Sequence, residues 1–322
     1  MKSALAVISR CVLSVVGRSF GALLTLVLLL QAPGEARAFE LLVSHFQGDN
    51  VLRYDATTGV FMDVFASGGG LDGSEGLAIG PDGNLYVASL NTDQVLRYNG
   101  VTGAFIDVFA SGGGLSDPED IVFGPDNHLY VAGRSSDAVH RYNGTTGAFI
   151  DVFVSGSGLD AASGLRFGPD GNLYVSSRNS DQVLRYNGAT GTFIDIFASG
   201  SGLDLPRGLL FGNDGNLYVA SGFSDEVLRY NATTGAFVDS FASGSGMDAP
   251  IGLLFGVDGN LLVAADGSAD EVMRFNIGSG AFIDNFVSGT TLNDPTFMLL
   301  IPEPSSFALL LLGLGPLALR RR

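Results

Sequence analysis

The stretch Gly80-Pro-Asp-Gly-Asn-Leu-Tyr-Val-Ala-Ser-Leu-Asn-Thr-Asp-Gln-Val-Leu-Arg-Tyr-Asn-Gly-Val-Thr-Gly-Ala-Phe-Ile-Asp-Val-Phe-Ala-Ser-Gly-Gly-Gly-Leu115 decides the fold, because most of the chain is this passage repeated. Its Arg-aromatic pair recurs at Arg53-Tyr54, Arg97-Tyr98, Arg141-Tyr142, Arg185-Tyr186, Arg229-Tyr230 and Arg274-Phe275, at spacings of 44, 44, 44, 44 and 45. A period in the forties is that of a propeller blade, too long for an ankyrin, leucine-rich or β-helix repeat. Within one unit, turn chemistry separates four strand-like pieces: Gly76 to Ile79, Leu85 to Ala88, Val95 to Tyr98 and Ala104 to Ala110. Pro81-Asp82-Gly83 and Asn99 to Gly103 supply the tight turns. The strands lack clean apolar/polar alternation, so both faces of each sheet are expected to be covered by neighbouring blades.

The two ends of the repeat region complete each other. Glu40-Leu41-Leu42-Val43 matches the second strand of a unit, and Pro295 to Leu300 matches a first strand. The expected fold is therefore all-β: a six-bladed β-propeller with four strands per blade, one blade being closed by the C-terminal strand.

Outside residues 39–301 the text changes. Lys2, Arg10 and Arg18 precede an apolar run from Phe20 to Leu30, and Ala36-Arg37-Ala38 forms a small-x-small site. This reads as a signal peptide over residues 1–38, cut by signal peptidase after Ala38. At the other end, Pro302-Glu303-Pro304 is followed by an apolar run from Phe307 to Leu319 and by Arg320-Arg321-Arg322. Thirteen residues of helix cover roughly 20 Å, short of a ~30 Å hydrocarbon core, so the expected membrane contact is transient. That order of features resembles the PEP-CTERM sorting signal. The resemblance implies export in a Gram-negative bacterium, recognition of Pro302, Glu303 and Pro304 by an exosortase-type protease, and delivery to the cell surface or extracellular matrix. The repeated Gly-Leu-x-x-Gly-Pro-Asp-Gly-Asn-Leu-Tyr-Val text resembles NHL-repeat and virginiamycin B lyase-like propellers, which implies the same fold. Tyr86, Tyr130, Tyr174 and Tyr218 stand where the lyase-like sequences carry tryptophan, and no catalytic His/Glu set is carried over.

Composition excludes several chemistries. Cys11 is the sole cysteine and lies in the leader, so the mature chain has no thiol for redox or nucleophilic work. Removing both ends leaves ten basic against 31 acidic residues, a net charge near −21. Nucleic acid and anionic lipid headgroups are therefore not expected partners, while cations and basic or neutral ligands remain; a polysaccharide or other matrix component is the expected partner. A monomer is expected.

Residues present in every unit are expected to be structural. Asp93 and its equivalents before the third strand, and Asp107 and its equivalents in the fourth, would pair the repeated arginine or hold backbone N–H groups; Asp82, Asp126 and Asp170 are turn residues. Recognition belongs where the copies disagree, on loops that gather at one mouth of the channel. There the candidate ligand-binding residues are Glu75, Glu119, Asp120, Arg134, Arg178, Arg207, Phe223 and Asp266. No catalytic residue and no cofactor is expected. Were an ion bound, it would be Ca²⁺ on Glu75, Glu119 and Asp120, since His45, His128 and His140 lack zinc spacing. The expected role is a binding or scaffold protein, the alternative a lyase- or lactonase-like enzyme with a metal at the channel mouth.

Overall fold

Each unit of about 44 residues folds into one antiparallel sheet of four strands, and six such sheets make up the described residues. The computed structural model describes residues 39–267, 270–289 and 292–303. The expected signal peptide over residues 1–38, Ala38 included, and the expected sorting segment from Pro304 onward lie outside the described residues. In the second blade the strands are Ser74–Ile79, Leu85–Ser89, Gln94–Tyr98 and Phe105–Ser111, in that spatial order. The first strand starts two residues earlier than turn chemistry suggests. That shift places Glu75 in a strand rather than a loop.

Closure follows the expected scheme. Phe39–His45 lies between Asn50–Asp55 and Pro295–Pro302, with Val43 opposite Met298 and Phe39 opposite Pro302. The two ends of the repeat region thus share one ladder.

The apolar core lies between blades. One cluster joins Tyr86, Ala88, Val95 and Phe109 of the second blade to Leu115, Ile121, Val131 and Tyr142 of the third, and five others repeat the arrangement. Each fully buried Leu or Val contributes about 1.5–3 kcal/mol, and the second and third strands of every blade supply most of these residues.

The outermost strands correct one expectation. They too lack alternation, yet only their C-terminal halves are covered: Phe105, Ile106 and Val108 are each about 40% exposed, whereas Phe109 and Ala110 are buried. An outermost strand has no fifth strand and no neighbouring blade over its first residues, so the continuous apolar text there does not signal burial.

The repeated charged residues take the structural roles expected of them. Arg97 faces Asp107 across the third and fourth strands, donating from Nε at 3.0 Å and from Nη2 at 2.6 Å, and its guanidinium lies 5.0 Å above the Phe109 ring. The same fork forms at Arg53/Asp63, Arg141/Asp151, Arg185/Asp195, Arg229/Asp239 and Arg274/Asp284. The aspartates before the third strand tie blade to blade. Asp93 Oδ1 accepts from the Asp117 N–H at 2.8 Å, and Asp49, Asp137, Asp181, Asp225 and Asp270 each accept from the residue 24 positions on. Each sits at a positive φ near 50°, a conformation aspartate tolerates better than most residues.

Candidate ligand site at the channel mouth

The first strands stand side by side around the channel axis. At their second residue the six blades carry Glu75, Glu119, Ser163, Arg207, Ile251 and Thr296. The next residue is glycine in four blades because the neighbouring strand comes very close: a Cβ on Gly164 would sit 2.1 Å from the Arg207 carbonyl oxygen, and one on Gly208 2.2 Å from that of Ile251. The loops between second and third strands form the rim above this ring. Their equivalent positions are Phe46, Leu90, Arg134, Arg178, Gly222 and Asp266, each with its N–H donated to the loop that enters its own blade.

Six of the ten arginines in residues 39–303 form the forks; the remaining four, Arg134, Arg166, Arg178 and Arg207, all belong to the third, fourth and fifth blades. Three of them converge on Glu119, whose side chain is wholly buried. Its Oε1 accepts from Arg134 Nη1 at 3.1 Å and Arg178 Nη1 at 3.2 Å, and Arg207 Nη2 stands 3.9 Å away. Its Oε2 accepts from the Ser163 hydroxyl. Arg134 also donates to Asp117 at 3.0 Å.

Glu75 and Arg207 are the unfinished part of this cluster. Glu75 is 3% and Arg207 8% exposed, and their nearest charged atoms lie 4.0 Å apart, beyond hydrogen-bond reach. Among the described residues, Glu75 Oε2 and Arg207 Nε have no hydrogen-bond partner although both are buried. Burial pushes the Glu75 carboxyl up to about 8, with Arg207 pulling the other way and Glu119 adding to the rise. It is therefore mostly protonated near neutral pH. Burial and the like charges of Arg207 and Arg134 lower Arg178 below the usual guanidinium value, against the pull of Glu119.

A cavity of about 400 Å³ opens over these groups. Glu75, Arg134, Arg178, Arg207, Asp266 and Asp294 line it, with Phe46, Gln47, Leu90, Asn91 and Thr296. Five of the eight sequence candidates thus meet in one place. The other three do not. Asp120 is buried beneath the wall, where it stands in for the glycine of other blades and accepts from Arg166 at 2.8 Å and from the Leu165 and Ile121 N–H groups. Glu119 lies behind the arginines it holds, and Phe223 is 72% exposed and does not line the cavity.

The triad Glu75, Glu119 and Asp120 is not a cation cage in this geometry, because Glu119 and Asp120 already spend their oxygens on arginines, a hydroxyl and backbone N–H groups. Among the described residues, the three carboxylates that approach one another are Asp266, Asp270 and Asp294, with oxygens within 4.8 Å. Burial and the Asp294 carboxyl push Asp266 up to about 6. Asp270 has its repeat role to fill, holding the Asp294 N–H.

Sequence reading missed Phe46, Gln47, Leu90, Asn91 and Thr296. The period itself carries the signal for three of them: Phe46 and Leu90 stand one or two repeats before Arg134, and Thr296 stands one repeat after Ile251 in the register of Glu75.

No protein-family model matches the sequence, and no curated protein matches it. Solved structures do match in shape. A chain of a nidogen/laminin complex superposes with a TM-score of 0.66 at 16% identity, over 81% of this chain and 98% of that one. A protein of unknown function from Bacteroides caccae gives 0.66 at 13% identity, over 83% and 100%. Virginiamycin B lyase from Staphylococcus aureus gives 0.54 at 14% identity, over 80% and 78%. At such identities the likeness is one of fold.

Proposed function

We propose that this chain is an exported binding or scaffold propeller of the cell surface or extracellular matrix, with the channel mouth as its ligand site. The observation that carries the binding reading is the cavity over Glu75 and Arg207, two buried polar groups left with unused hydrogen-bonding atoms. Burying such groups without partners costs about 1–3 kcal/mol each, and a ligand that supplies the partners recovers it. Propellers of this shape occur in a protein–protein complex and in a lyase, so the fold alone does not choose between binding and catalysis.

Export and processing rest on the leader and on the tail beginning at Pro302-Glu303-Pro304. The ladder supports them: Phe39 lies opposite Pro302 at one end of the closing strand pair, and Glu303 is exposed just beyond. Cuts after Ala38 and near Pro304 would spare every strand. In this reading signal peptidase makes the first cut and an exosortase-type protease the second, with a transient inner-membrane stop between them. Mass spectrometry of the surface-released protein should find Phe39 as the N-terminus and no peptide beyond the Pro302 region; release with Arg322 intact overturns the sorting reading. Binding is tested by presenting residues 39–303 to a glycan array and to extracted matrix, where retention lost in Arg178→Gln is expected.

The lyase- or lactonase-like alternative is supported by Glu75, a carboxyl that keeps its proton near neutral pH beside an arginine, as a general acid would. Turnover of lactone or polysaccharide substrates that is lost in Glu75→Gln would replace the binding reading with the enzymatic one.

A further inference from the structure

We propose that the channel mouth takes a carboxylate-bearing sugar, a uronate unit at the end of an acidic saccharide, with Arg178 and Arg207 holding the carboxylate. This rests on the mouth being the binding site and names the class of ligand it would accept.

The charge is argued from the arginines. Three guanidiniums converge on the single buried carboxylate Glu119, and the distances divide them: Arg134 and Arg178 make hydrogen bonds at 3.1 and 3.2 Å, while Arg207 reaches neither Glu119 at 3.9 Å nor Glu75 at 4.0 Å. Arg207 is nine-tenths buried, lines the cavity, and keeps an Nε–H without an acceptor. Arg178 makes only one bond to Glu119 and also faces the cavity. A guanidinium presents its donors as a planar fork that matches a carboxylate in two parallel bonds. An entering carboxylate would give Arg207 the acceptor it lacks and relieve the repulsion between Arg207 and Arg178.

The rest of the wall argues for a sugar carrying that carboxylate. Asn91 and Gln47 offer amides, Thr296 a hydroxyl and Glu75 a carboxyl that both donates and accepts while protonated, a set suited to ring hydroxyls. Phe46 supplies an apolar face among them. A volume of about 400 Å³ is at the lower end for a small-molecule site, which suits one or two sugar units rather than a long chain.

The acids around the site set an upper limit on ligand charge. Asp266 and Asp294 stand on the same wall, and the whole propeller is strongly acidic. A singly charged carboxylate meets the arginines without a second negative group to place near Asp266, whereas a doubly charged phosphate would be opposed. A long polyanion would also be repelled from the surrounding surface, so the chain end is the expected epitope.

The test uses residues 39–303 and calorimetric titration with glucuronate, galacturonate and mannuronate, free and as disaccharides, beside the methyl ester of each, the neutral parent sugars and inorganic phosphate. At least one acid should bind about tenfold or more tighter than its ester. Arg178→Gln, at a partly exposed position, should cost about tenfold, and Arg207→Met should cost at least as much; circular dichroism of each variant checks that the ring is intact. Equal binding of esters or neutral sugars overturns the uronate while leaving the mouth as a binding site. Phosphate binding in place of the acids overturns it also, making the site a general anion site. No acid binding up to about 10 mM overturns it, and the binding reading falls with it only if the glycan array and matrix extract are blank as well.

Discussion

At the scale of single residues, the repeat is a ruler against which departures stand out, and the departures that matter are at Glu75, Glu119, Asp120 and Arg207. An acidic residue in so acidic a chain would ordinarily be solvated, yet these three carboxylates are 0–3% exposed. Their burial was not legible, because it depends on first strands meeting around an axis and on each strand starting before its glycine. The cost shows in Glu75. In the unfolded chain its proton leaves near the ordinary 4.5, whereas in the folded protein it stays until about 8. Between those values the folded state holds the extra proton, so the Glu75 contribution to stability is fully present below 4.5 and declines as pH rises toward 8. Glu75→Gln keeps the shape and removes the titration. Its stability relative to the parent, measured by denaturant unfolding at pH 5, 6.5 and 8, should therefore increase with pH. Parallel curves at all three would show that Glu75 is not held protonated in the fold.

At the scale of the strand, the outermost member of each blade has to remain soluble with an unpaired edge. Phe105, Ile106 and Val108 are exposed there; the first, third and fourth blades repeat this apolar edge, and the fifth and sixth keep its first two residues but carry Ser240 and Asn285 in place of Val108. An exposed, unpaired apolar strand is a template for pairing with another chain. Asp107 interrupts it, and two register shifts in the pairing with Gln94–Tyr98 bring Asp107 opposite Arg97. The Arg97–Asp107 fork is partly exposed, with side chains 20% and 44% accessible, so its direct contribution to stability is modest, about 0.2–1 kcal/mol. Its larger role is to keep a charge in the middle of the edge. Asp107→Val would leave Phe-Ile-Val-Val-Phe-Ala as an uninterrupted apolar edge and strand the Arg97 guanidinium. The expected outcome is a small loss of stability with a marked gain in self-association, read by size-exclusion chromatography and thioflavin binding. Asp107→Asn, which keeps a polar group, should lie between the two, and a variant as monodisperse as the parent would assign the charge no protective part. Here the sequence text was misleading in an instructive way: an unalternating strand is covered on both faces only when neighbours exist to cover it.

For the whole molecule, blade number and closure were legible because both are matters of counting: six Arg-aromatic pairs, one about every 44 residues, give six blades, and the two partial units at the ends add up to one of them. The convergence of Arg134, Arg178 and Arg207 on Glu119 was not, since residues of different blades meet only after the ring has closed and no local pattern records which face the axis together. What can be read is that, within residues 39–303, every arginine outside the forks falls in three consecutive blades, which already makes the mouth lopsided. Closure also contributes to stability. Pro295–Pro302 adds the fourth strand to the first blade, burying Phe297, Met298 and Ile301, and Thr296 donates its hydroxyl to the Ser74 carbonyl of the next blade. Three such side chains are worth roughly 5–9 kcal/mol, comparable with the whole net stability of a typical domain, about 5–15 kcal/mol. Without that strand the Phe39–His45 edge is unpaired and the first strands of the sixth and second blades lose the strand that stands between them. A chain ending at Asp294 should therefore fail to unfold cooperatively, or do so well below the parent temperature, whereas one ending at Glu303 should match it, since the ladder is complete at Pro302. Thermal unfolding of the two truncations decides the matter. If the shorter chain melts like the longer one, the ring is held by its inter-blade clusters alone and the closing strand is dispensable.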